Sequence, residues 1–430
     1  MAADAVVMPA RNAAARRTVG GCQRKGVTSQ LIGKMVHLGM QDARERRRIL
    51  EGAQLKSAHR ALCKLQAMLY LLVSFFVATV ATVLVIHSAR SHAHLSADAD
   101  LSGPQKFHST PVPRIGGAGI FTGLFCCILV AALLKRPDWK FGALLLMCGF
   151  PAFGAGLIED LTKRVSPGKR LLATALSAAL GIWLLGATVT KTDIPGVDLL
   201  VSTAIGAWLA TILTVAGVAN SINIIDGFNG LSSMCVSLML LVFAYVAYQV
   251  GDVPLAVWAL AGVGAAIGFF VWNFPSGLIF LGDGGAYFLG FYVSEIGILL
   301  IARNPEVSPL FPLMVCIYPV FETLFSMYRR KFIRSVPTWM PDGIHLHSLV
   351  YRRLMRWAIG ARDARAMTRR NSMTAPYLWM LCMTSLVPAI LFWDSSPLIA
   401  ACMLLFIATY IGLYRRIVRF KTPKWLVVSR

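Results

Sequence analysis

The chain has 430 residues, 57% of them hydrophobic and only 14% charged, and its mean hydropathy is +0.64. Soluble domains carry roughly a quarter charged residues, so composition excludes a soluble globular protein, as well as disordered, collagenous and coiled-coil chains, and points to the bilayer. The formal net charge of +22 would suit nucleic acid if it lay on one soluble face; in a membrane protein it marks cytoplasmic loops, and no nucleic-acid partner is expected.

Apolar runs recur eleven times in chain order, at 66–88, 115–134, 141–158, 170–189, 198–219, 230–250, 253–271, 284–302, 308–327, 376–394 and 396–414. Backbone groups in lipid must be satisfied within the segment, and the runs lack the alternation of barrel strands, so helices are required. The predicted fold is therefore all-α, a polytopic integral membrane protein with eleven transmembrane helices. The third run is expected to be interrupted at Gly149 and Pro151, and the last two to be joined by a short turn. Three regions follow: a basic leader over 1–65, a transmembrane domain over 66–414 with a long loop at 328–375, and a basic tail over 415–430. The nine cysteines form no Cys-x-x-Cys pair and read as apolar packing groups.

Lys and Arg in the loops set the orientation. Lys163, Arg164, Lys169 and Arg170 after the third run, the arginine-rich segment after the ninth, and the tail all fall on one side, which is taken as cytoplasmic. An odd number of spans then places the N-terminus outside. Residues 1–65 resist this, with thirteen Lys or Arg against four acids. Either the span count differs by one or the leader is not part of the working protein; the second reading is preferred because Met68 stands at the start of the first run and could initiate the chain.

Five polar clusters lie at span ends on the cytoplasmic side. Lys106 to Gly117 is a Pro- and Gly-punctuated approach to the second span, readable as a capping turn or an anion site. Glu159-Asp160 ends the third span, where the helix dipole disfavours acids and a compensating cation or metal is called for. Asn220, Asn223 and Asp226 recur every three residues and crowd one helix face before Gly227, Asn229 and Gly230 turn the chain. Gly282-Asp283-Gly284-Gly285 presents a carboxylate where backbone and phosphate can approach closely, or simply caps a helix. His345 and His347, followed by Arg352, lie at a spacing that does not share a helix face, so an extended segment holding phosphate fits better than a metal pair. Glu295 and Glu322 lie inside spans and read first as hydrogen-bonded or protonated structural acids. Carboxylates, amides and cations gathered at one face suit metal-assisted phosphoryl transfer to a lipid phosphate; a transporter of an anionic solute is the rival from another class.

The motifs Pro-Arg-x-Gly-Gly, the acid pair, Asn-x-x-Asn-x-x-Asp-Gly, Gly-Asp-Gly-Gly and His-x-His occur in order between Leu101 and Arg353. In this the chain resembles the polyprenyl-phosphate N-acetylhexosamine-1-phosphate transferase family, glycosyltransferase family 4. The resemblance implies an inner-membrane enzyme with catalytic loops on the cytoplasmic side. It would use Mg2+ to move a sugar-1-phosphate from a UDP-N-acetylhexosamine to undecaprenyl phosphate, releasing UMP and starting a surface glycan such as O-antigen or capsule. It also implies Asp283 and Glu159 at the metal, Asp160 and Asp226 as catalytic acids, and Lys106, Asn220, Asn223, Asn229, His345, His347 and Arg352 as substrate contacts. Glu159 and Asn229 stand where the family often has Asp, which leaves Asp160, Asp226 and Asp283 to suffice. Ile-His345-Leu-His347 looks like the aminosugar branch, with the muramoyl-pentapeptide branch as the alternative; a homodimer is left open.

Overall fold

The computed structural model describes His37 and residues 62–88, 112–333, 335, 344–355 and 364–419. The chain divides into two compact units, Met1–Cys63 and Lys64–Arg430. Of the first, only His37, Leu62 and Cys63 are described. The rest of that unit, Lys106 and residues 420–430 of the expected tail lie outside the described residues.

All eleven expected runs are helical. Helix α1 (Leu62–Ser88) is followed by α2 (Gly117–Leu133), α3 (Trp139–Thr162), α4 (Pro167–Leu185), the short α5 (Val197–Val201), α6 (Ala204–Ile225), α7 (Leu231–Gln249), α8 (Val253–Asn273) and α9 (Gly282–Arg303). Then come α10 (Phe311–Val315), α11 (Ile317–Tyr328), a one-turn α12 (Leu346–Leu349), α13 (Ala364–Leu391) and α14 (Ser396–Val418), with π-helical turns at 329–333 and 350–355. Among the described residues, nine of these are long and apolar enough to cross a membrane; α2, with 17 residues, is shorter.

Four local expectations are corrected. The third run is one unbroken helix with Pro151 inside it. The next amide, Ala152 N–H, donates to Ser177 Oγ of α4 at 3.0 Å, the kind of neighbouring hydroxyl that makes proline tolerable in a span. The ninth run is broken instead, split at Cys316 into α10 and α11, and the fifth is divided between α5 and α6. The tenth begins at Ala364, so part of the expected 328–375 loop is helix.

Start signals act as the sequence suggests. Ser166 accepts from Lys169 N–H with Pro167 in the first turn of α4, Thr203 accepts from Gly206 N–H before α6, and Asp252 accepts from Leu255 N–H before α8. Helix α9 is the centre of the molecule: 89% of its most apolar window is buried, against 17% for α14. A helix apolar on all sides belongs inside a bundle, and the exposed Leu, Ile and Phe of α1, α6 and α14 are left to face lipid.

The bundle has two distinct ends. At one, Asp138 accepts from Gln66 Nε2 (2.8 Å) and Trp258 Nε1 (3.0 Å), tying the start of α1 to the starts of α3 and α8. Arg303 at the end of α9 pairs there with Asp252 at 3.7 Å. At the other end lie the start of α2, the end of α3, the start of α4, the end of α6 and the start of α9, and the polar motifs collect there.

Candidate active site

Glycines let three helices meet at that end. Pro113–Gly117 and Phe280–Leu281 run alongside each other, with Phe280 N–H donating to Pro113 O (2.8 Å) and Gly116 and Gly117 N–H to Phe280 O and Leu281 O (3.0 and 2.9 Å). A Cβ on Gly117 would run into the backbone of Gly285, and one on Gly156 would come within 2.5 to 2.6 Å of Asp283 and Gly284. Gly282, at φ +76°, takes a backbone conformation that favours glycine. The Gly-Asp-Gly-Gly motif is thus first a packing device that brings the start of α9 against α2 and α3.

That contact decides the position of Asp160. Its carboxylate, almost fully buried, accepts the N–H of Asp283 and of Gly284, each at 2.9 Å. An acid that ends α3 unfavourably with respect to its own dipole is therefore compensated by the positive N-terminus of α9. Both oxygens are engaged, so Asp160 builds the site from behind. Glu159 next to it accepts Val165 N–H at 2.6 Å and closes the turn after α3.

Asp283 sits in the first turn of α9. One oxygen accepts from Asn223 Nδ2 at 2.7 Å, and the other is paired with the guanidinium of Arg170 from α4. Arg170 also lies over the Tyr287 ring at 5.7 Å, and the Tyr287 hydroxyl donates to Asn220 Oδ1 at 3.3 Å. Two of the three residues expected to crowd one face of α6, Asn220 and Asn223, thus reach α9 directly. Asp226, just past the end of α6, accepts from the Ser232 hydroxyl. Burial pushes the Asp226 carboxyl up to about 7, opposed by the Ser232 hydrogen bond and reinforced by the charge of Asp283.

Asn229 goes elsewhere. It is buried, its N–H donates to Asn371 Oδ1 (2.8 Å) and its Nδ2 to Ser372 Oγ (3.1 Å), so it ties the turn after Asp226 to α13. His345 and His347 are buried with their rings stacked at 5.0 Å and 10°. The His347 ring lies edge-on to Phe228 at 5.5 Å, and its Nε2 would be 3.8 Å from a Cβ on Gly227. The His-x-His segment therefore packs on the Asp226-Gly227-Phe228 turn. Arg352 is on the exposed side of the following π-helical turn. Its neighbour Arg353 donates to Ile417 O at the end of α14 at 2.8 Å.

Sequence reasoning overlooked Arg170 as part of the site, counting it only as an orienting loop cation. The signal was present: a cation in the first turn of a helix opposes the dipole and asks for an acidic partner. Ser232 and Tyr287 gave no signal, since a hydroxyl in an apolar run has many uses. Glu322 was noticed only as a span acid, and it proves hydrogen-bonded.

Among the described residues, no three of His, Cys, Asp and Glu converge as a metal cage. The donor set fits Mg2+ in its common mode, with one or two carboxylates and the remaining positions left to water and substrate phosphates. Asp283, already facing the Arg170 cation, is the carboxylate suited to it.

Residues 143–301 match the profile of glycosyl transferase family 4. The matched segment runs from α3 to α9 and holds Asp160, Asn223, Asp226 and Asp283. Over that segment, which is less than half of its length, the chain is similar to glycosyl transferase family 4. It is 25% identical over 301 residues to a probable undecaprenyl-phosphate N-acetylglucosaminyl 1-phosphate transferase of Bacillus subtilis, covering 69% of this chain and 80% of the relative. It is 27% identical over 286 residues to the undecaprenyl-phosphate alpha-N-acetylglucosaminyl 1-phosphate transferase of Thermotoga maritima, covering 66% of this chain and 81% of the relative. A phospho-N-acetylmuramoyl-pentapeptide-transferase of Bacillus thuringiensis is 27% identical over a shorter stretch of 197 residues, 44% of this chain and 61% of the relative. The long apolar helices and these likenesses support a multi-pass membrane protein that is a sugar-phosphate transferase.

Proposed function

We propose that the protein transfers N-acetylhexosamine-1-phosphate, such as GlcNAc-1-phosphate, from a UDP-sugar to undecaprenyl phosphate, releasing UMP and starting a lipid-linked surface glycan. The observation that carries this reading is the meeting of Asp283, Asn223 and Arg170 at the bundle end where Asp226 and the two histidines also lie. An acid, an amide and a cation at the end of a membrane bundle suit a water-soluble diphosphate presented to a lipid phosphate. The polar groups stand at helix ends, unlike the mid-bilayer sites of transporters.

In this mechanism an oxygen of the lipid phosphate attacks the sugar-bearing phosphorus in line, the bond from that phosphorus to UMP breaks, and UMP leaves with the bond electrons. Bound Mg2+, held by Asp283, would neutralise charge on the diphosphate. Arg170, released from Asp283 as the site fills, is free to hold a phosphate oxygen. Asn220 and Asn223 orient the donor, Asp226 positions the acceptor phosphate, and His345, His347 and Arg352 contact the sugar phosphate. Asp160 keeps the α9 terminus in place. The site faces the cytoplasm of a bacterial inner membrane, where nucleotide sugars are made.

The test is incubation of the purified protein with undecaprenyl phosphate, Mg2+ and a panel of UDP-sugars, reading UMP. Release with a simple UDP-N-acetylhexosamine is expected. Faster turnover of UDP-MurNAc-pentapeptide, or turnover without Mg2+, would overturn the donor or the metal assignment respectively.

A further inference from the structure

Helices α11 and α14 finish at the same end of the bundle as the candidate site, and a groove of about 790 Å3 runs between them. Its walls are apolar, with Phe321, Leu324 and Phe325 from α11 facing Ile407 and Ile411 from α14. Edge-on ring contacts hold the two helices at this spacing, Phe321 to Tyr410 at 5.0 Å and Phe325 to Tyr414 at 4.9 Å. The mouth is cationic. Arg329, Arg353 and Arg415 line it, and among the described residues no Asp or Glu does. Arg329 donates to Ile344 O at 2.7 Å and lies over the Tyr414 ring at 5.3 Å, and Arg353 donates to Ile417 O at 2.8 Å, so both charges are fixed in place. Arg415, in the last turn of α14, is exposed. Tyr328 and Ile333 stand exposed at the same edge, and Lys331 lies over the Phe332 ring at 5.5 Å. Apolar and basic side chains mixed in this way belong at a membrane surface.

The length of the groove selects its occupant. At roughly 1.5 Å per residue, α11 rises about 12 Å from Phe321 to Arg329 and α14 about 17 Å from Ile407 to Val418. One leaflet contributes about 15 Å of hydrocarbon, half of the roughly 30 Å core. Acyl chains that end at the middle of the bilayer therefore fit the walls while their headgroup meets the arginines. We propose that this groove binds a glycerophospholipid with an anionic headgroup, its acyl chains between α11 and α14 and its phosphate at Arg415, in the field of Arg329 and Arg353. A basic pocket between membrane helices at the bilayer surface complements an acidic headgroup, whereas a zwitterionic one brings a cation of its own. The acceptor is a poorer fit, because the undecaprenyl chain is far longer than one leaflet is deep and Asp283 is served by α4 and α6 instead. Ile344 lines the groove and precedes His345, so the bound lipid stands beside the segment that packs on the Asp226 turn.

To test this, the purified full-length chain is titrated in detergent with phosphatidylglycerol or with phosphatidylcholine of identical acyl chains, and bound lipid is read by native mass spectrometry. Phosphatidylglycerol is expected to bind about tenfold or more tightly than phosphatidylcholine. Arg415→Gln should weaken phosphatidylglycerol by about fivefold, the share of one cation beside an anionic headgroup, and leave phosphatidylcholine within about twofold. Arg416→Gln removes the same charge from a residue that does not line the groove, and should stay within about twofold for both. Ile411→Trp, which fills the groove without touching charge, should weaken both lipids by about fivefold or more by displacing acyl chain. Leu405→Trp, at an exposed position outside the groove, should stay within about twofold. Equal affinity for the two lipids, or an equal loss in Arg416→Gln, would overturn the proposal. So would one-for-one displacement of the phospholipid by undecaprenyl phosphate, which would make the groove an acceptor site, or tighter phospholipid binding by a chain ending at Arg419, which would make the tail its occupant. Binding is read without turnover, so the result stands apart from the transfer reading.

Discussion

Asp160, Asp226 and Asp283 are three carboxylates of one site held in three different ways. Asp283 faces a cation and an amide, and in the proposed reaction its charge would be exchanged between Arg170 and a metal-bound diphosphate. Asp283→Asn keeps the volume and removes that charge; turnover should fall by about 100-fold or more, since even groups that merely hold metal ligands contribute roughly 10 to 100-fold. Asp160→Asn puts an NH2 group against the N–H of either Asp283 or Gly284. It should therefore lower thermal stability as well as turnover, with a cost of about 1–3 kcal/mol for the broken buried pairing, read as a drop in Tm of the purified protein. A simple catalytic base would lose activity with no such drop. Burial raises the Asp226 carboxyl to about 7. If it acts ionised, kcat/KM should fall as pH drops through about 7. Ser232→Ala, by removing a hydrogen bond that favours the ionised form, should move that acid limb to higher pH. A pH–rate profile unchanged by Ser232→Ala would exclude Asp226 as the group responsible. All three aspartates were legible from spacing and helix-end position. What each one touches was not, because Arg170, Ser232 and the α9 amides come from other parts of the chain.

The same division holds for whole elements. The α2, α3 and α9 ends approach closely because Gly117, Gly156, Gly284 and Gly285 carry no side chain where the backbones touch. Gly117→Ala would drive a methyl into the Gly285 backbone, and overpacking of this kind costs typically about 1–3 kcal/mol. Here it should also push the start of α9 away from Asp160, so turnover should fall more steeply than Tm, compared in one detergent preparation. Gly217→Ala, at a position with nothing within 4 Å of the added carbon, is the matched control and should leave both near the original values. In the sequence these glycines read as turns and phosphate-approach points; that they are contacts between helices follows only from the packing. The unbroken α3 shows the converse. Pro151 is a legible interruption, but Ser177, which satisfies the neighbouring amide, lies 25 residues further on in α4.

For the whole molecule, the start of α1 at Leu62 changes what can be removed. A chain beginning at Met68 keeps a span-length helix but loses Gln66, whose amide donates to Asp138 at 2.8 Å. Removal of residues 1–60 is expected to leave activity within about twofold, whereas removal of 1–67 should lower Tm, measured on both truncated chains. Loss of all activity on removing 1–60 would show that the leader is needed. Composition by itself determined that this chain is a helical membrane protein, because apolar runs of this length have no other stable home. Motif order carried the family resemblance, and helix-end spacing named the acids. Tertiary structure alone decided that α9 is central, that Asp160 accepts the first amides of α9, that Asn229 turns to α13, and that Arg170 meets Asp283. Periodicity and hydropathy report which face of a helix avoids water. They carry no record of which distant helix supplies a partner, and it is those partners that set the charge and direction of every group at the site.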